Sequence, residues 1–181
     1  MGSLIVLMGP TGAGKSVQGD LLAARNDWAH LSSGKLLRAD PHAAERLHDG
    51  SLAPADEVER VVGEALAKIP SEQSVVLDGT PRTESDIAWL EQELPKLGRQ
   101  LKQVVMIRLS LETSVKRLST RGRADDSPAA IRAKWELFDE VTRPVAEHYR
   151  KLGLLTTIDG SGSIEEVHQL IETALEEAAV L

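Results

Sequence analysis

The chain has 181 residues, 41% hydrophobic and 27% charged, enough for one domain with an ordinary core. A formal charge of −7 argues against a protein that coats nucleic acid, but not against a small phosphorylated ligand held by a local arginine cluster. The absence of cysteine excludes disulfides and thiolate metal sites, and no apolar run approaches the roughly 20 residues of a membrane span, so the expectation is a cytoplasmic protein with no membrane or nucleic-acid partner.

The first apolar run, SLIVLM (3–8), predicts a strand that feeds directly into GPTGAGKS (9–16), which fits G-x-x-x-x-G-K-[ST] at every fixed position. Gly9, Gly12 and Gly14 let the backbone turn its N–H groups inward around phosphate oxygens. Lys15 adds a point charge, the helix predicted from Ala13 to Arg25 offers its N-terminus, and Ser16 can reach Mg²⁺. Residues 33–68 then predict two helices with a turn near DGSLAP (49–54), a helical insert between strands. SVVLD (74–78) is a second strand. A phosphate loop needs a further carboxylate at the end of a neighbouring apolar strand, and Asp78 fills that place, orienting Mg²⁺ directly or through water.

Beyond it, a helix is predicted from Thr83 to Lys96, a strand at VVMIRL (104–109) and a helix from Leu111 to Thr120. RGRADDSP (121–128) reads as a charged, irregular loop. A long helix follows, with Ile131, Trp135, Phe138, Val145 and Tyr149 as its core stripe. LLTTID (154–159) is the last strand, and the final helix carries Ile164, Val167, Ile171, Leu175 and Ala178 as another core stripe. Short β-branched runs alternating with helices predict a parallel sheet covered on both faces, with insert and charged loop at the carboxyl ends of its strands.

A phosphate loop identifies the donor and leaves the reaction open. Arg38, Arg82, Arg117, Arg121 and Arg123 narrow it. Moving a phosphoryl group between two nucleotides crowds negative oxygens together, and catalysis is largely positioning and neutralising that charge.

Taken together, GPTGAGKSVQ, HLSSGKLLRA (30–39), DGTPRT (78–83), RLSTRGRADD (117–126) and IDGSGSIEEV (158–167) resemble, in order and over nearly the whole length, the motifs of the adenylate kinase family. The resemblance implies an α/β P-loop NTPase fold, a three-layer α/β/α arrangement around a parallel five-stranded sheet. Within a single kinase domain (1–181), it implies a core of 1–32, 69–120 and 129–181, a monophosphate-binding insert at 33–68 and a short lid at 121–128. It further implies transfer of the γ-phosphoryl of ATP to a nucleoside monophosphate with Mg²⁺, by a monomer. Under that resemblance Gly12, Ala13, Gly14, Lys15, Ser16 and Val17 cradle the ATP phosphates, Arg117 lies against the donor adenine, and Gly162 lies beside that base. Arg121 and Arg123 close over the transferring group, and Arg38 and Arg82 grip the acceptor's α-phosphate. Ser33, Ala53, Val58 and Gly79 line the acceptor base pocket.

Four departures stand out. Ser16-Val17 replaces the family's usual Gly-Thr. Lys134 stands where a lid-helix arginine is usual, keeping the charge and losing the bidentate fork, which predicts slower transfer. The insert is short by several residues before DGSLAP. Asp86 replaces a glutamine that reads adenine in AMP-preferring members; an ionised aspartate only accepts hydrogen bonds, so it either reads a base differently or caps the helix behind Thr83. AMP is the first choice of acceptor because Ser33 resembles the hydroxyl residue of AMP-preferring members. A GMP or CMP kinase, a kinase acting on a hydroxyl acceptor, and a nucleotide-binding regulator with weak transfer stand as alternatives.

Overall fold

The computed structural model describes residues 2–46, 52–120 and 127–181. Its centre is a parallel sheet of β1 (Ser3–Met8), β2 (Ala29–Ser32), β3 (Val75–Asp78), β4 (Gln100–Arg108) and β5 (Leu155–Asp159), in the order β2-β3-β1-β4-β5. The helices are α1 (Lys15–Asn26), α2 (Ser33–Ala39), α3 (Pro41–Arg46), α4 (Ala55–Ala67), α5 (Glu84–Lys96), α6 (Leu111–Leu118), α7 (Pro128–Leu137), α8 (Arg143–Lys151) and α9 (Ile164–Glu177).

Strand side chains alternate between the two faces of the sheet, and that alternation divides the core. Leu4, Val6, Met8, Val75, Leu77, Val104 and Met106 point to one face, where they meet Val58, Val62, Leu90, Leu94, Val145 and Tyr149 of α4, α5 and α8. Ile5, Leu7, Val76, Val105 and Ile107 point to the other, where Leu22 of α1 and Val167, Ile171 and Leu175 of α9 cover them. Most of these strand residues are fully buried, each stabilising the fold by about 1.5–3 kcal/mol relative to exposure. The three-layer α/β/α arrangement expected from the sequence is therefore the one observed. Among the described residues no helix is long and apolar enough to cross a membrane.

Four of the strands follow from apolar runs. The fifth, β2, is only four residues long and half polar, so no run announces it; pairing with β3 from Ala29–Val75 to Ser32–Asp78 makes it a strand. β4 also begins earlier than its apolar run, because Gln100 and Leu101 pair with Ser3 and Leu4. Between β2 and β3 the described residues form three helices where two were expected, α3 being set off from α2 by Asp40, whose carboxylate accepts from the Ala43 amide at 2.9 Å. The long helix expected from the sequence is α7 and α8 joined through a π-helical segment, Phe138–Thr142. Ile131, Val145 and Tyr149 are buried as expected, while Trp135 and Phe138 are half-buried. In α9 the expected stripe holds at Val167, Ile171 and Leu175, while Ala178 is the half-buried C-cap beyond the helix. Ile164, in the first turn, is 59% exposed, and fully buried His168 takes a core place beside Val167. His168 Nδ1 lies 2.9 Å from Gln18 Oε1, and Gln18 Nε2 donates to the Ile164 carbonyl at 2.9 Å, so α9 is fastened to the helix that follows the phosphate loop.

Candidate active site

The carboxyl ends of β1, β2 and β3 are adjacent, and the segments that leave them carry most of the candidate residues. After β1, Gly9, Gly12 and Gly14 have φ of 150, 80 and 85°, values an L side chain resists, so glycine is required for this loop to curl. Gly14 is the N-cap of α1, and no side chain caps the helix there. The first turn of α1 thus presents its backbone N–H groups and the positive end of the helix toward an anion. Lys15 Nζ donates to the carbonyls of Gly9 and Pro10 at 2.7 and 2.9 Å, which places its charge over its own loop. Ala13 is buried beneath the loop and Val17 is 45% exposed.

Asp78 ends β3 as the sequence places it and is 4% exposed. Its Oδ1 accepts from Ser32 Oγ at 3.1 Å, and its Oδ2 lies 2.9 Å from His30 Nε2. Burial pushes this carboxyl up, but the His30 hydrogen bond, the Lys15 charge and the Ser16 hydroxyl outweigh it, and the net pKa is below the ordinary value. His30 is lowered by burial and raised more strongly by Asp78 and Asp20, ending above the ordinary imidazole value. Its Nδ1 is 2.7 Å from Asp20 Oδ1, and Lys35 Nζ is 3.3 Å from Asp20 Oδ2. The ring is seated against α1, where a Cβ on Gly19 would fall 2.4 Å from His30 Nε2.

His30, Asp20 and Ser32 are absent from the sequence-derived site. The one available signal was the position of His30 two residues before the serine pair at the end of β2. Its pairing with a carboxylate forty-eight residues away had none.

Gly79, with φ of 85°, turns the chain away from β3, and a Cβ there would lie 2.4 Å from Ser33 Oγ. Ser33 is the first residue of α2 and is buried. Arg82 folds back so that Nε donates to the Gly79 carbonyl at 2.6 Å. Burial lowers the Arg82 pKa, the carboxylates of Asp78 and Asp86 pull it up, and the Arg38 charge pushes it down again. The guanidiniums of Arg38, on α2, and Arg82, in the β3–α5 turn, thus feel one another's charge. Gly34 leaves room for the Arg38 side chain to fold over the first turn of α2, since a Cβ there would lie 3.3 Å from Arg38 Nη1. Asp86 lies at the start of α5 and is buried. Val58 is buried and Ala53 half-buried, both packed on the core face shared with α4 and α5.

On the other flank, Arg117 of α6 reaches the last loop: Nη2 donates to the carbonyls of Gly162 at 2.9 Å and Ser161 at 3.2 Å. Nη1 approaches the Gly12 carbonyl at 3.5 Å, so Arg117 ties the phosphate loop to the loop after β5. Lys134 is half-buried in the last turn of α7. Arg121 and Arg123, and most of the expected lid, lie outside the described residues.

The adenylate kinase family model matches residues 7–154 of this chain. The chain belongs to the adenylate kinase family. An adenylate kinase of Prochlorococcus marinus (strain MIT 9303) is 37% identical over 177 residues, covering 94% of this chain and 97% of that protein. One of Rhodopirellula baltica is 36% identical over 176 residues, covering 92% of each. One of Nocardia farcinica is 34% identical over 179 residues, covering 94% of this chain and 98% of that protein. The adenylate kinase family consists of phosphotransferases, and this chain is a kinase of that kind, with its phosphate loop and arginines at one sheet edge.

Proposed function

We propose that this protein transfers the γ-phosphoryl of ATP to AMP, giving two ADP, and that AMP is the preferred acceptor. The observation that carries the acceptor half is the Arg38–Arg82 pair. Arg82, half-buried and held by its Nε on the Gly79 carbonyl, and Arg38, folded over Gly34, bring two positive charges to bear on one another, which a dianionic phosphate relieves. The donor half rests on the uncapped start of α1 and on Lys15. We assign residues 33–68 to the acceptor-binding insert and 121–128 to a short lid, with Ser33, Ala53, Val58 and Gly79 toward the acceptor base. From sequence alone, Arg121 and Arg123 are assigned to the transferring group.

The site suits Mg²⁺ held chiefly by substrate phosphates and water. Among the described residues no cluster of three or more His, Asp or Glu could hold an ion by itself. Asp78 has one donor on each oxygen from Ser32 and His30 and receives Ser16 as well, and a carboxylate with about four acceptor sites keeps room for a metal-bound water. Ser16 and Asp78 would hold the ion, which when bound neutralises charge on the β- and γ-oxygens. The chain's own part is to cradle the donor phosphates on the α1 amides, to place the acceptor phosphate on Arg38 and Arg82, and to keep Asp78 ionised.

The test is a diphosphate-forming assay with ATP and Mg²⁺ against AMP, GMP, CMP and UMP in turn. ADP formation should be fastest with AMP. No diphosphate above background with any of the four would end this reading.

A further inference from the structure

Asp86 makes more than a helix cap. In a capping box the N3 side chain answers the N-cap amide, and Asp86 Oδ2 does accept from Thr83 N at 3.3 Å while Asp86 N donates to Thr83 Oγ1 at 3.2 Å. The shorter bond lies one residue upstream, where Asp86 Oδ2 accepts from the Arg82 amide at 2.7 Å. With Nε on the Gly79 carbonyl, Arg82 is therefore tied at both its backbone and its side chain. Its Nη1 and Nη2 make no hydrogen bond among the described residues, which leaves the planar fork for a ligand. Asp86 is 5% exposed, with one oxygen given to the backbone and no donor of its own when ionised, a poor partner for the paired donor and acceptor of an adenine edge.

We propose that Asp86 is a positioning residue for the acceptor phosphate grip: it clasps the Arg82 backbone so that the guanidinium stands ready, and it does not read the acceptor base. The proposal rests on the monophosphate kinase reading above. A fork ordered before binding lowers the cost of ordering it at binding, so the clasp acts on acceptor affinity. That effect is the same for every base.

The experiment compares wild type with Asp86→Ala, Asp86→Asn and Thr83→Ala, measuring kcat and KM for AMP, GMP, CMP and UMP. Asp86→Ala should raise KM for each accepted monophosphate by about tenfold and by the same factor, with KM for ATP unchanged, since a hydrogen bond to a charged group is lost. Asp86→Asn keeps an amide oxygen for the Arg82 N–H and should recover most of that loss. Thr83→Ala removes the cap without touching the Arg82 bond, so it should lower the melting temperature and leave KM in place. Factors differing more than about tenfold between bases would make Asp86 a base reader and overturn the proposal. An equal rise of KM in Thr83→Ala would reduce Asp86 to a helix cap and also overturn it. Calorimetric binding of the monophosphates alone to the same variants should show the same pattern of affinities without turnover. A wild type that forms no diphosphate thus counts against the kinase reading, while calorimetry still decides on Asp86.

Discussion

His30 Nε2 lies 2.9 Å from Asp78 Oδ2, so the carboxylate that ends β3 is held by an imidazole from the neighbouring strand. The two side chains are 6% and 5% exposed, and water replaces neither partner easily. His30→Leu should leave Asp78 as a buried carboxylate short of a donor, at a cost of about 1–3 kcal/mol, or a fall in melting temperature of roughly 2–10 °C. Turnover should fall further than stability, because Asp78 would lose its fixed direction and part of its preference for the ionised form. Calorimetric melting beside steady-state kinetics at neutral pH checks both.

Asp40 and Arg60 join α2 to α4 through two hydrogen bonds of 2.8 and 3.1 Å, and Arg60 also reaches buried Glu57 at 2.8 Å. Arg60, followed by the Ala43 amide, holds the Asp40 carboxyl down at about 2. Its unfolded value is about 3.9, so its contribution is present above that pH and is lost as pH falls toward 2. Asp40→Asn should be less stable than wild type at neutral pH, and the gap should close between about pH 4 and pH 2. Urea midpoints measured across that range test the direction, since a gap that widens in acid would contradict it.

Gly79 has φ of 85°, and a Cβ there would stand 2.4 Å from Ser33 Oγ. Gly79→Ala should therefore cost about 1–2 kcal/mol for the left-handed backbone alone. It should also push Ser33 from its place and move the carbonyl that holds Arg82 Nε. The acceptor KM should rise by an order of magnitude while the ATP KM holds, a split that initial-rate kinetics reads directly.

Lys134 carries a charge in the last turn of α7. A guanidinium adds a planar fork suited to a phosphoryl group in transfer. Lys134→Arg should raise kcat by up to about tenfold with little change in either KM. Single-turnover measurement separates that gain from any change in product release.

Residues 9–16, 78–82 and the alternating apolar runs told most of the fold on their own and supplied the donor-side candidates. Their information is local: which φ a turn needs, which face a strand buries, which helix starts with unpaired amides. DGTPRT likewise revealed Asp78 and Arg82, since both are defined by position relative to a strand end. β2 escaped because a four-residue strand with polar ends becomes a strand only through its pairing with β3.

What only the tertiary structure decided was which polar groups meet. His30 with Asp78, Asp20 with His30, Arg117 with the loop after β5 and Gln18 with His168 join residues from 10 to 150 positions apart, and no periodicity encodes such pairs. Asp86 shows both sides of the division. The sequence by itself determined that Thr83 and Asp86 could form a capping box, because the two ends of that motif are only three positions apart. Only the fold decided that its carboxylate also takes the Arg82 amide, because the turn after Gly79 must first bring that N–H round to it.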